Sequence, residues 1–228
     1  MTDDAVLTFV PIHAAGDGAW SWHLLTNELR ERGHGVVAID LPADDSSAGL
    51  SDYADAVVDA VGDRSNLVVV AHSFGGFTAP LVCDRVPVRA LVMVTAMIPR
   101  AGEPPADWWT NTGHAEARRK LGLEDEDDLQ TYYQDVPREL ALEAMRRERN
   151  HPSERAYSEP WPLEAWPDVP TSFLLCRDDR FFPAEWMRGV VRDRLGITPD
   201  EIDSGHCPML SRPEELADRL EAYGAGTR

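Results

Sequence analysis

VVVAHSFGG, residues 68–76, starts as a run of β-branched residues and ends in a histidine, a serine, a phenylalanine and two glycines. Three consecutive valines without polar alternation suit a strand covered on both faces, as in a parallel sheet. Glycines directly after a strand mark a sharp turn with a close approach of backbones. The residues that follow, Gly76–Arg85, have a helical pattern.

Outward from this stretch, apolar runs alternate with amphipathic ones. Val6–Ile12, Val36–Asp40, Leu67–Ala71, Ala90–Thr95 and Thr171–Cys176 are predicted strands, and Glu201–Asp203 a short one. Trp20–Arg32, with Leu24, Leu25 and Leu29 on one side, is a predicted helix that stops at Gly33. Tyr53–Val61 is another, with Ser51 as its N-cap. Ala184–Leu195 is a third. The last helix opens on Ser211-Arg212-Pro213-Glu214, a capping-box pattern. Strands interleaved with helices imply right-handed βαβ crossovers.

The middle of the chain breaks this rhythm. Between Ile98 and Asp168 lie prolines, the pair Trp108 and Trp109, the acidic run Glu124–Asp128 and the charged helical stretch Arg138–Arg149. The predicted organisation is an α/β core from 1–98 and 169–228, interrupted by a helical lid over 99–168.

The 228 residues are 43% hydrophobic, enough for one sizeable core. A net charge of −18 repels nucleic-acid backbones and anionic membranes, so neither is a predicted partner. The apolar run Val6–Ile12 is too short to span a membrane, and Met1-Thr2-Asp3-Asp4 lacks the basic start of a secretory leader. Cys83, Cys176 and Cys207 are odd in number and have no CxxC spacing. They are expected to be reduced thiols of a cytoplasmic protein, with no metal site.

A buried strand that ends in x-His-Ser-x-Gly and runs into a helix is a nucleophile elbow, with Ala71 in place of the first glycine. Ser73 is the candidate nucleophile. The backbone N–H of Phe74 is a candidate oxyanion donor. Such a serine needs a base and an orienting carboxylate, in the chain order Ser, acid, His. Strand Thr171–Cys176 is followed at once by Asp178 and Asp179, and the short last strand by His206. All three placements coincide. Asp179, four residues before Pro183, is preferred as the acid, and Asp178 remains the alternative. Of the other histidines, His23 and His34 are expected to be solvated, and His114 and His151 to lie on the surface or lid. His72 is expected to pack or hydrogen-bond beside the elbow.

Four stretches, IHAAGDGAWSW (12–22), VVVAHSFGGFTAP (68–80), CRDDRFFP (176–183) and GHCPMLSRPEELA (205–217), together resemble the α/β-hydrolases of the plant methylesterase and hydroxynitrile-lyase group and its bacterial esterase relatives. The resemblance implies a mostly parallel six-stranded sheet flanked by helices, a helical lid and no metal or organic cofactor. It places Ala14 in the glycine position of the oxyanion loop, so that the Ala15 N–H is the second oxyanion donor. Lyases of this group carry Thr after the loop His and Lys after the catalytic His, where this chain has Ala14 and Cys207. The esterases carry Gly at the first position.

The function that follows is carboxylic ester hydrolysis of a small-molecule ester, small to medium and apolar, by Ser73, His206 and Asp179 through an acyl-enzyme. A ligand-binding or non-hydrolytic biosynthetic member of the fold is the alternative. Trp108, Trp109, Phe181, Phe182 and Trp186 are candidate pocket walls, Trp20 and Trp22 candidate braces of the oxyanion loop, and Cys207 a buried filler. Ordinary core packing is an equal reading for each aromatic.

Overall fold

The computed structural model describes residues 6–147 and 151–226. The Met1–Asp4 stretch and the C-terminal end of the Arg138–Arg149 stretch lie outside these residues. Among the described residues six strands form one sheet: β1 (Thr8–Ile12), β2 (Gly35–Val36), β3 (Leu67–His72), β4 (Val88–Val94), β5 (Thr171–Cys176) and β6 (Asp200–Ile202). Their order is β2-β1-β3-β4-β5-β6 and every pairing is parallel. The valine run is the reason that this sheet is covered twice. Val68 and Val70 join Val92, Val94 and Leu174 on one face, packed by Leu25 and Leu29 of α1 (His23–Glu31) and by Leu216 and Leu220 of α11 (Pro213–Ala225). Val69 and Ala71 join Leu91, Met93 and Phe173 on the other. There they meet α2 (Leu50–Val61), α3 (Ala79–Cys83) and α9 (Ala184–Leu195) through Val57, Leu81 and Met187. Each such large apolar side chain removed from water contributes about 1.5–3 kcal/mol.

Between β4 and β5 the described residues form five short helices: α4 (Pro105–Thr112), α5 (His114–Lys120), α6 (Asp128–Tyr132), α7 (Arg138–Arg146) and α8 (Glu154–Ser158). This segment is fastened to the core by buried polar bonds. Trp108 Nε1 donates to the Ile98 carbonyl at 3.0 Å, and Trp161 Nε1 to the Phe77 carbonyl at 3.1 Å. Glu103 pairs with Arg194 of α9, both side chains buried, and also accepts from Asn111 Nδ2 at 2.9 Å. Burial pushes the Glu103 carboxyl upward. The bonds from Arg194 and Asn111 outweigh it and hold the group below the usual carboxylate range.

Several element boundaries differ from the sequence pattern. Val36–Asp40 pairs only through Gly35–Val36, and Asp40 instead turns its carboxylate to the Ala19 N–H at 2.7 Å. The predicted Trp20–Arg32 helix is a 3₁₀ turn, Ala19–Trp22, followed by α1. Gly76–Arg85 is likewise a 3₁₀ turn, Ser73–Phe77, followed by α3. The last strand begins one residue earlier than expected, at Asp200. Ser51 is not a cap, because α2 starts at Leu50. The Gly49 N–H is met by Asp52 Oδ2 at 2.7 Å and the Leu50 N–H by the Glu159 carboxylate. Ser211 does not cap α11 either. It closes α10 (Pro208–Ser211), and its hydroxyl pairs with that of Ser204 at 2.9 Å. No helix of the described residues is long and apolar enough to cross a membrane.

Two glycines of contrasting surroundings test this packing. A Cβ on Gly76 would overlap the Met97 carbonyl oxygen, which is backbone and has no room to yield. Gly76→Ala is expected to cost about 3 kcal/mol. Gly189, in the middle of α9, has nothing within 4 Å of the same position. Gly189→Ala should raise stability by about 0.5–1 kcal/mol through helix propensity. Thermal melts of both variants beside the parent check the pair.

Candidate active site

The sheet register brings four loops to one edge. His72 at the end of β3 lies beside Val94 of β4, Val94 beside Leu174 of β5, and Cys176 beside Ile202 of β6. The chain leaving these strand ends carries Ser73, Thr95, Asp179 and His206. In a parallel α/β sheet this carboxyl edge is where ligands bind.

Ser73 has φ 49°, the left-handed region that non-glycine residues seldom occupy. The turn is forced from two sides. A Cβ on Gly75 would lie 2.7 Å from the Ile12 carbonyl oxygen, and Gly76 backs onto Met97. The Ser73 carbonyl accepts the Met97 N–H at 2.8 Å. Both glycines of the opening stretch are therefore required by backbone contact, one against each neighbouring loop.

Asp179 and His206 form a buried pair, with 4% and 2% of their surface exposed. His206 Nδ1 lies 2.8 Å from Asp179 Oδ2, so Nδ1 carries the proton and donates it. Thr95 Oγ1 donates to the same oxygen at 2.6 Å. The N–H groups of Phe181 and Phe182 donate to Oδ1 at 2.8 and 2.9 Å. Of the adjacent aspartates, it is Asp179 that reaches the imidazole. The Asp178 N–H bonds the Ser204 carbonyl at 3.0 Å, continuing the β5–β6 pairing, and its side chain is exposed.

The loop after β1 makes a tight turn. The Asp17 N–H reaches the Ala14 carbonyl at 3.3 Å across Gly16, whose φ is 76°. A glycine with positive φ in that third position is the requirement of a type II turn. His13 braces the turn. Its Nε2 accepts the Leu41 N–H at 3.0 Å, leaving the Nδ1 proton for the Ala14 carbonyl at 2.7 Å.

Ala15, Ser73, Phe74 and His206 line one cavity of about 780 Å³. No hydrogen bond joins Ser73 to His206; the two share the cavity wall. Trp109 and Phe181 also line it. Trp108, Phe182 and Trp186 instead pack behind it, with ring centroids 5.6 and 5.7 Å from Trp108 to the other two. Trp22 packs edge-on to His72 at 6.1 Å, and Trp20 stacks on His23 at 4.5 Å. Cys207 borders the cavity as a buried thiol, pushed well above its ordinary value by burial and then by neighbouring carboxylates.

His23, His34 and His114 are more enclosed than the sequence expectation, whereas His72 and His151 lie as expected. His114 is buried, with Nε2 at 2.7 Å from the Phe181 carbonyl, because the aromatic cluster encloses it. His23 and His34 are half-buried, and His34 pairs with Glu221 at 2.8 Å. His151 is exposed at the cavity rim. Three residues of the site bore no sequence signal: Thr95, Tyr132 and Asp135. The Tyr132 ring lies 5.6 Å from that of His206, and burial pushes its hydroxyl up to about 12. Asp135 Oδ2 accepts the Gly205 N–H at 2.8 Å and so steadies the loop that carries His206. Among the described residues no group of three or more His, Cys, Asp or Glu is arranged to hold a metal.

The chain belongs to the alpha/beta hydrolase family, which it matches over residues 9–219. Among curated relatives, Methylesterase 7 of Arabidopsis thaliana is 28% identical over 244 residues, covering 93% of this chain and 94% of that protein. Norfluorocurarine synthase 1 of Strychnos nux-vomica is 25% identical over 254 residues, with 93% of each covered. Among solved structures, polyneuridine aldehyde esterase superposes with a TM-score of 0.79 at 22% identity, covering 95% of this chain and 98% of that one. This last likeness is one of fold.

His72 sets a pH dependence of stability. Its Nε2–H donates to the His206 carbonyl at 2.8 Å, while Nδ1 is buried with no partner. Burial, and then the neighbouring His206, push the ring well below the ordinary histidine value. The unfolded chain thus binds this proton more readily than the folded one. The stability that the neutral ring contributes is full above about pH 6.5 and is lost as pH falls below it, by up to about 1.4 kcal/mol per pH unit. Denaturant melts at descending pH should show a shallower decline for His72→Asn than for the parent.

Proposed function

We propose that this α/β-fold hydrolase is a carboxylic ester hydrolase acting through Ser73, His206 and Asp179. The observation that carries the reading is the buried Asp179–His206 bond at 2.8 Å on the same cavity as a serine with left-handed φ. The methylesterase name of a relative spanning nearly the whole chain supports it.

In the reaction, Ser73 Oγ attacks the ester carbonyl carbon while His206 Nε2 takes the hydroxyl proton. Asp179 keeps Nδ1 protonated, so the lone pair is on the nitrogen that serves as base. The N–H groups of Ala15 and Phe74 receive the oxyanion. Phe74 sits in the first turn of a 3₁₀ helix, where backbone donors lack intrahelical acceptors. Each such preorganised donor is worth about 3 kcal/mol. The tetrahedral intermediate collapses, and the leaving alcohol takes the proton from His206. Water, activated by the same imidazole, then releases the carboxylic acid from Ser73. The Ser73–His206 bond forms with substrate bound, as such bonds commonly tighten only in the complex. Met97, Trp109, Met145 and Phe181 give the cavity apolar walls suited to small and medium apolar esters.

Relatives with synthase names favour a second reading, in which the same residues serve a biosynthetic conversion. Incubation with p-nitrophenyl acetate and butyrate separates the two. Steady turnover that drops by roughly 10³-fold or more in Ser73→Ala supports the hydrolase. No turnover of either ester, with Ser73 unlabelled by a fluorophosphonate probe, would exclude it. Asp179→Asn should lower kcat by as much as roughly 10⁴-fold by allowing the wrong imidazole tautomer. Turnover should also fall toward acid pH, since only the neutral imidazole accepts a proton. A rate that does not fall on acidification would remove His206 as base.

A further inference from the structure

We infer that Thr95 is a positioning residue for this reaction: its hydroxyl holds the Asp179 carboxylate in the orientation that presents Oδ2 to His206. The inference rests on the triad reading above.

Thr95 follows β4, whose last five residues, Ala90–Val94, are all apolar and buried. Its own exposure is 0%. Valine would fill the same volume without a hydroxyl to satisfy, so packing alone does not call for threonine. The hydroxyl bonds Asp179 Oδ2 at 2.6 Å, a short, charge-assisted contact. The backbone tells the same story. Thr95 has φ 37°, an outlier for any β-branched residue, and such strain persists where the surroundings over-determine it. Here its N–H is held by the Leu174 carbonyl of β5 at 2.9 Å. Together with Asn66 and Ser73 it makes up the non-glycine positive-φ residues among those described, so two of the three lie at this edge of the sheet.

The carboxylate explains what the hydroxyl does. Asp179 has about four lone-pair sites. Thr95 and His206 take those on Oδ2, and the Phe181 and Phe182 N–H groups take those on Oδ1. Without the hydroxyl, the clamp on Oδ1 survives but Oδ2 is held from the imidazole side alone. Two effects follow. The imidazole loses a fixed partner, so its aim at the serine proton loosens. The negative charge, no longer shared with Thr95, favours the protonated imidazole more strongly.

The test measures kcat, KM, the pH–rate profile and the melting temperature of Thr95→Val, Thr95→Ser and Thr95→Gly on p-nitrophenyl butyrate, with Ser73→Ala as background. The valine variant should lose about 10-fold in kcat, the equivalent of one hydrogen bond, with KM changed by less than about 2-fold. Its acid limb should move to higher pH. Serine should restore both. Glycine lacks the hydroxyl but relaxes the positive φ, so it should be as slow as valine and fold even where valine does not. Valine and glycine variants with the parent's kcat and acid limb, changed only in melting temperature, would overturn the inference and leave the triad reading intact. Parent turnover that does not depend on Ser73 would overturn both.

Discussion

One carboxylate ties together the ends of three adjacent strands. Asp179 follows β5, accepts from Thr95 beyond β4 and from His206 beyond β6, and takes two further N–H groups from its own loop. A buried anion is tolerated only when its lone pairs are met, and here every donor comes from a fixed piece of backbone or from a side chain at a strand end. The register of β4, β5 and β6 is thereby coupled to the position of one imidazole. The opposite side of the His206 loop is held in the same manner, by His72 on the His206 carbonyl and Asp135 on the Gly205 N–H.

The elbow is the second constraint, and it is steric. Ser73 keeps a left-handed backbone because Gly75 and Gly76 are wedged between the Ile12 and Met97 carbonyls. The loops that crowd the turn follow β1 and β4, and one of them carries Ala15 of the candidate oxyanion site. The geometry that strains the serine therefore also sets the distance to its neighbours. The helices between β4 and β5 contribute Trp109, Tyr132, Met145 and Tyr157 to the cavity. They are not loosely hung, since Trp108, Trp161 and the Glu103–Arg194 pair fasten them to the core.

Much of this was legible in the chain. A run such as Val68–Ala71 leaves a strand little choice but to be covered on both faces, and the strand-helix alternation orders the sheet. Ser73 and His206 were marked by local signals, a glycine-flanked serine after a strand and a histidine after the last one. Boundaries were less legible. Ser51 and Ser211 have the right chemistry for caps, yet the first N–H groups of α2 go to nearby Asp52 and to Glu159, far along the chain, and the Ser211 hydroxyl goes to Ser204. The aromatic residues were the least legible: Trp108 and Trp109 are neighbours in sequence, but one is core and the other cavity wall.

The sequence by itself determined the α/β architecture and marked a candidate serine, a pair of aspartates and a candidate histidine after successive strands, because periodicity and turn chemistry act over a few residues. Only the tertiary structure put Asp179 rather than Asp178 against the His206 imidazole, drew Thr95 and Asp135 to the candidate site and buried His114. Those outcomes depend on which strand ends lie side by side, and a hydrogen bond of 2.6 Å between residues 84 apart leaves no mark on either local sequence.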